Sequence, residues 1–227
     1  TIMNLAKSLV RTAALALAVG LFTAGCATQG YKKADRTGIN LQNFRKDVVE
    51  FKQALDASLA RLNEVSQAAA TNPRPAFEAY TKSLTRLGAA SRRTDKQAQT
   101  LQKQGEAYFQ QWQRDLETIN NPEIRQVAQE RKEQQKQLFE RLDPLMKQLW
   151  SHYDPLFSDL QDLRKLLSQD LTESGIRAAA GLIRRNTDLG ASVQSHLDEV
   201  AREAGMISDG LMAARTPIAP DAKAAPK

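Results

Sequence analysis

From residue 41 onward, apolar residues recur at alternating steps of three and four, the spacing that lines one face of a helix. Leu41, Phe44, Val48, Phe51, Leu55, Leu62, Val65 and Ala69 follow it, with Ser58 in the one polar slot. That is a heptad seam held for four repeats. The stretch "TNPRP" at 71–75 ends it, because proline cannot continue a helix and restricts the residue before it. A second helix is predicted beyond it, with a seam of Phe77, Tyr80, Leu84, Leu87, Ser91, Thr94, Ala98, Leu101, Gly105, Tyr108, Trp112, Asp115 and Ile119 in one unbroken register. "NNP" at 120–122 closes that helix and opens the next, with Asn121 as N-cap and Pro122 at the first helical position.

The third predicted helix carries Ile124, Val127, Leu138, Leu142, Leu145, Leu149, Leu156, Leu163 and Leu166. Asp143-Pro144 and Asp154-Pro155 should each kink or restart it, since proline removes a hydrogen bond and crowds the preceding turn. Thr172 reads as the N-cap of a fourth helix with the seam Ile176, Ala179, Ile183, Asn186, Gly190, Val193, Leu197, Val200, Ala204, Ile207 and Leu211. No alternating run of β-branched residues predicts a strand.

The fold class that follows is all-α: an elongated antiparallel helical bundle or coiled coil of about four long helices, occupying residues 41–214. At 1.5 Å per residue the second helix alone extends about 65 Å. Short connections make successive helices antiparallel neighbours. Folding the pattern back on itself sets Gly105 near Leu138, Ala98 near Leu145, Ser91 near His152, and Gly190 near Leu156 and Phe157. The first helix is expected to be too short to cover the whole rod.

The ends are different in kind. Residues 1–25 hold Lys7 and Arg11, no acid, and the apolar run "TAALALAVGLFTAG". A short basic region before such a run describes a secretory signal, and the run is shorter than the ~20 residues of a membrane span. Residues 26–40, with Gly30, Gly38 and little apolar content, are expected to form a tether. Residues 215–227, with three prolines and no period, are expected to be a disordered tail.

Cys26, the one cysteine in the chain, ends "TAGC". That stretch resembles the lipobox of bacterial lipoproteins, in which small residues precede a cysteine that is lipidated and becomes the mature N-terminus. The resemblance implies that Cys26 carries a thioether-linked lipid, and several acyl chains together hold a protein stably on a membrane. Ala27 at the next position looks like the choice that sorts to the outer membrane, facing the periplasm. No second cysteine exists for a disulfide, so a packed core must stabilise the fold.

Charge and candidate chemistry narrow the function more than they define it. The chain has 32 Lys and Arg against 26 Asp and Glu. Losing Lys7 and Arg11 with the signal leaves a mild excess, which does not argue for nucleic acid. His152 and His196, with Asp154, could approach one another in the antiparallel folding, but a zinc site needs three or four ligands and no thiolate is free to join them. No glycine-rich phosphate loop and no G-x-S-x-G elbow is present. Tyr108, Phe109 and Trp112, with Trp150, Tyr153 and Phe157, read as core packing before they read as a ligand platform. The expectation is therefore no catalytic residue, no metal, no cofactor and no small-molecule substrate.

The segments "GYKKADRTG" near Cys26, "AYFQQWQRDLETINNPEIR" at 107–125 and "DPLFSDLQDLRKLLSQDLTESGI" at 154–176 resemble a family of uncharacterised, all-helical bacterial envelope lipoproteins. The resemblance implies architecture and anchoring and transfers no catalytic residue. The function expected is a non-enzymatic, lipid-anchored scaffold or adaptor of the bacterial envelope. Its partners would be the membrane, through the lipid, and a protein or a second copy of the chain. A lipid-binding or membrane-remodelling coat is the alternative.

Overall fold

The computed structural model describes the backbone of residues 27–213 and the side chains of residues 36–212. The expected signal segment, Cys26 and the tail from residue 215 lie outside the described residues. Five helices follow in order: α1 (Ala27–Gln67), α2 (Arg74–Glu117), α3 (Pro122–Glu140), α4 (Leu142–Gln169) and α5 (Glu173–Ala213). Among the described residues there is no strand. The fold is an up-down-up-down bundle in which α3 and α4 together form one leg.

Cross-chain contacts fix the register. Ser208 Oγ donates to the Gly38 carbonyl, Lys52 pairs with Asp198 at 2.5 Å, and Gly190 abuts Leu59. Residue numbers thus fall on α5 as they rise on α1, so the two helices are antiparallel. Asn40 donates to Gln104 at 2.7 Å and Arg93 reaches Asp47 at 2.8 Å, which sets α2 antiparallel to α1 in the same way. The Tyr80 hydroxyl donates to the Leu160 carbonyl at 2.6 Å and joins α2 to α4. Helices α1 and α4 lie diagonally, and their aromatic side chains meet in the middle: Phe51 packs edge-on against Tyr153 at 4.8 Å and stacks on Trp150 at 5.8 Å.

The core is the set of heptad seams. Leu41, Phe44, Val48, Phe51, Leu55, Ser58, Leu62 and Val65 are all essentially sealed from solvent. Every predicted seam position of α5 from Ile176 to Leu211 is buried. Ser58, the polar slot in α1, keeps its hydroxyl satisfied by donating to the Ala54 carbonyl at 2.9 Å. The caps follow their residue types as well. Asn121 accepts from the backbone N–H groups of Glu123 and Ile124, and Thr172 Oγ1 accepts from Gly175 N–H. Asp170 supports the second cap by accepting from both the hydroxyl and the N–H of Thr172, and these bonds hold its carboxyl below the ordinary carboxylate range.

Four expectations are corrected. Residues 27–40 are helical from Ala27, not a tether; α1 continues because Thr37 and Gly38 are buried against α5, where Met212 and Ser208 line the contact. That extension makes α1, at 41 residues, as long as α5, so it does not stop short of the rod's end. Gly190 packs on Leu59 of α1, and Phe157 packs instead against Gly88, because α5 lies between α1 and α4 and turns its glycine toward the former. Past Gly105 the buried positions of α2 are Phe109 and Leu116, one residue later than the predicted Tyr108 and Asp115. Two successive steps of four accommodate the drift of a straight helix relative to a strict heptad.

The two Asp-Pro pairs also act differently from each other. The third predicted helix breaks at Arg141, so that Pro144 falls in the first turn of α4, where its missing N–H costs nothing. Pro155 is accommodated inside α4, which runs on unbroken to Gln169.

Candidate functional site: a cleft between α2 and the α3–α4 leg

Between Ala128 and Leu138 the sequence "QERKEQQKQ" offers α3 no apolar side chain to pack on α2. Without an apolar layer from that stretch the two helices do not close along it. The result is a cleft of about 780 Å³ running between α2 and the α3–α4 leg. Its lining runs from Asp95 to Gln113 on α2 and from Lys132 to Trp150 on the other leg. Eighteen residues of helix on each side make it about 27 Å long.

The interior is apolar: Phe44 of α1, Leu101 and Phe109 of α2, Phe139, Met146 and Trp150. Two aromatic groups mark its ends. Phe109 contacts Tyr108 at 5.0 Å and Phe139 at 5.9 Å, while Trp112 stacks at 6.5 Å. At the other end Trp150 joins Phe51 and Tyr153, and Tyr153 stacks on Phe157 at 5.4 Å. The six aromatic residues singled out in the sequence therefore form two clusters and not one platform. Burial pushes the Tyr108 hydroxyl above its ordinary value, with Arg131 opposing it, and burial pushes Tyr153 further still.

Polar groups rim the cleft. Lys136 pairs with Glu140 at 3.5 Å and Lys147 with Asp143 at 2.7 Å, both within one helical turn. Asp95 accepts from Gln99. Lys132 differs from these: it is only 7% exposed, its ammonium donates to Gln113 Oε1 at 2.6 Å, and among the described residues it has no direct carboxylate partner. The sequence reading missed Lys132. The signal was available in a polar run at the positions where α3 should have carried its seam.

The histidine pair comes together as the topology predicted. His152 and His196 approach to 4.5 Å between ring centroids across α4 and α5. His152 Nδ1 lies 2.9 Å from the Gln148 carbonyl and 3.2 Å from Ser151 Oγ. Among the described residues no group of three or more His, Cys, Asp or Glu side chains could hold a metal ion. Asp154 does not complete a set with the two rings.

Ile124 and Val127, expected in the seam, are 57% and 68% exposed. They lie on the first turns of α3. The α2–α3 turn that carries them is at the end of the bundle where α1 begins, given the antiparallel pairing of Asn40 with Gln104. No helix of the described residues is long and apolar enough to cross a membrane.

No match is found among curated proteins or among solved structures. A family profile matches residues 23–206, which covers both long hairpins, the cleft and the histidine pair. On that match, the chain belongs to the family described as protein of unknown function, DUF2959.

Proposed function

We propose that this chain is a non-enzymatic adaptor of the bacterial envelope, held on the membrane by a lipid on Cys26 and presenting the α2/α3–α4 cleft as its binding surface. The observation that carries the reading is the sequence "TAGC" after an apolar run, placed immediately before α1. A lipid at that point puts the membrane at the α1 end of the rod. The cleft runs along the side of the bundle, and the antiparallel pairing of Asn40 with Gln104 puts its Gln113 end nearer the anchor than its Asp95 end. Outer-membrane sorting with the rod in the periplasm belongs to the same proposal, through Ala27.

The test is mass spectrometry of the mature protein from cells. The reading expects an N-terminal peptide that begins at Cys26 and carries acyl chains. An unmodified Cys26, or a mature chain that begins elsewhere, would overturn it.

One feature favours a second reading, contact with the lipid surface itself. Ile124 and Val127 are exposed at the end where a Cys26 anchor would act, with Arg125 and Arg131 on the same helix. Apolar tips flanked by cations insert among anionic headgroups. In that case replacing both Ile124 and Val127 by serine reduces binding to anionic vesicles; unchanged binding would remove this reading and leave the adaptor.

A further inference from the structure

We infer that the cleft between α2 and the α3–α4 leg binds a single-chain anionic amphiphile, its head on Lys132 and its chain running toward Trp150. This rests on the adaptor reading only for the biological setting; the binding chemistry is independent of any anchor.

The first argument is the charge. A lysine ammonium has three donors and no acceptor. That of Lys132 uses one, on Gln113 Oε1, while its side chain is buried at one end of the cleft, and the Gln113 amide nitrogen donates in turn to Glu117 at 3.4 Å. Burying an ammonium without a counter-charge is costly. The cations nearby on the rim are already matched, Lys136 by Glu140 and Lys147 by Asp143. Glu106 lies seven residues from Gln113, about 10 Å along α2, on the wall of the cleft and not at the Lys132 end. Among the described residues no carboxylate bonds the Lys132 ammonium directly, and its two remaining donors fit an anion.

The second argument is the shape. The cleft is long and narrow, about 780 Å³ over about 27 Å, a shape that suits an extended aliphatic chain. Half of a bilayer's ~30 Å hydrocarbon core is about 15 Å, the depth one acyl chain spans, and it fits within the cleft's length. Between Lys132 and Trp150 the chain would meet Phe109, Phe139, Leu101 and Met146, all apolar. The volume also falls within the ~300–1,000 Å³ of small-molecule sites, which pair an apolar lining with a few placed polar groups.

Trp150 lines the cleft, and the chain has one other tryptophan, Trp112. The experiment uses the full chain carrying Trp112→Phe in phosphatidylcholine nanodiscs, titrated with 16-bromohexadecanoate, whose terminal bromine quenches a nearby indole. Saturable quenching of Trp150 is expected, with an apparent affinity about tenfold to hundredfold better than that of 16-bromohexadecanol, the range of one charge-assisted hydrogen bond. Lys132→Gln should abolish that preference. Ala98→Phe, which fills the cleft, should abolish quenching while the helical circular dichroism is kept. Displacement by palmitate and not by 1-palmitoyl lysophosphatidylglycerol would assign the head as a carboxylate, and the reverse a phosphate. No saturable quenching, or equal affinity for acid and alcohol, would overturn the proposal whatever the state of Cys26.

Discussion

The ring of Phe139 stands where a β-carbon on Gly105 would have to go. The glycine is therefore what lets α3 approach α2 at the upper wall of the cleft. Gly181, by contrast, has open space around it on α5.

The same substitution should consequently have opposite effects at the two sites. Gly181→Ala gains helix propensity and should stabilise by about 0.5–1 kcal/mol. Gly105→Ala gains the same propensity but must displace Phe139, an overpacking cost of about 1–3 kcal/mol. Urea unfolding of the two variants checks the sign: a higher midpoint for Gly181→Ala, and an unchanged or lower one for Gly105→Ala.

Tyr80 is sealed from solvent, and its hydroxyl donates to the Leu160 carbonyl. Burial, partly opposed by Arg164, raises its ionisation well above the ordinary value of 10.0. A group whose folded-state pKa is raised contributes stability that is complete below the unfolded value and lost as pH rises through the interval between the two. The bundle should therefore lose stability above pH 10. Tyr80→Phe should cost about 1 kcal/mol at neutral pH through the lost hydrogen bond and should flatten the alkaline slope. Thermal melts at pH 8 and pH 11 for both proteins read the two effects separately.

Asn186 occupies a seam position of α5, donating to the Leu182 carbonyl while its buried Oδ1 has no partner. An unmet buried acceptor costs about 1–3 kcal/mol, so Asn186→Leu, similar in volume, should raise the unfolding midpoint. A polar residue at one seam position can also fix helix register. If it does so here, the leucine variant should be more stable and yet show broader amide resonances, a result that NMR spectra of the two proteins would reveal.

How far the sequence revealed the fold depended on how many partners each helix has. The predicted seam positions of α5, and those of α1 from Leu41 to Val65, are all buried, because both helices face neighbours along their lengths and burial tracks the heptad there. On α3 the reading failed: Ile124 and Val127 are exposed, and Lys132 and Gln135 are buried. With α2 as the main neighbour of that helix, apolar periodicity no longer decides what is covered. Gly30 and Gly38 suggested a tether, but a glycine tolerated inside a helix can mark close packing, as the approach of Met212 to Gly38 shows. The approach of His152 to His196 followed from topology alone. The cleft did not, since it arises where α3 lacks apolar bulk against a neighbour, and a one-dimensional pattern records residues and not the space between them.

The proposed location rests on the lipid at Cys26, and membrane retention reads that lipid out. Wild-type protein and Cys26→Ser should be expressed at matched levels and fractionated after a high-salt wash. The account predicts wild-type protein in the membrane pellet and the serine variant unprocessed or released. A Cys26→Ser protein that is processed normally and still pellets fully with the membrane would contradict it.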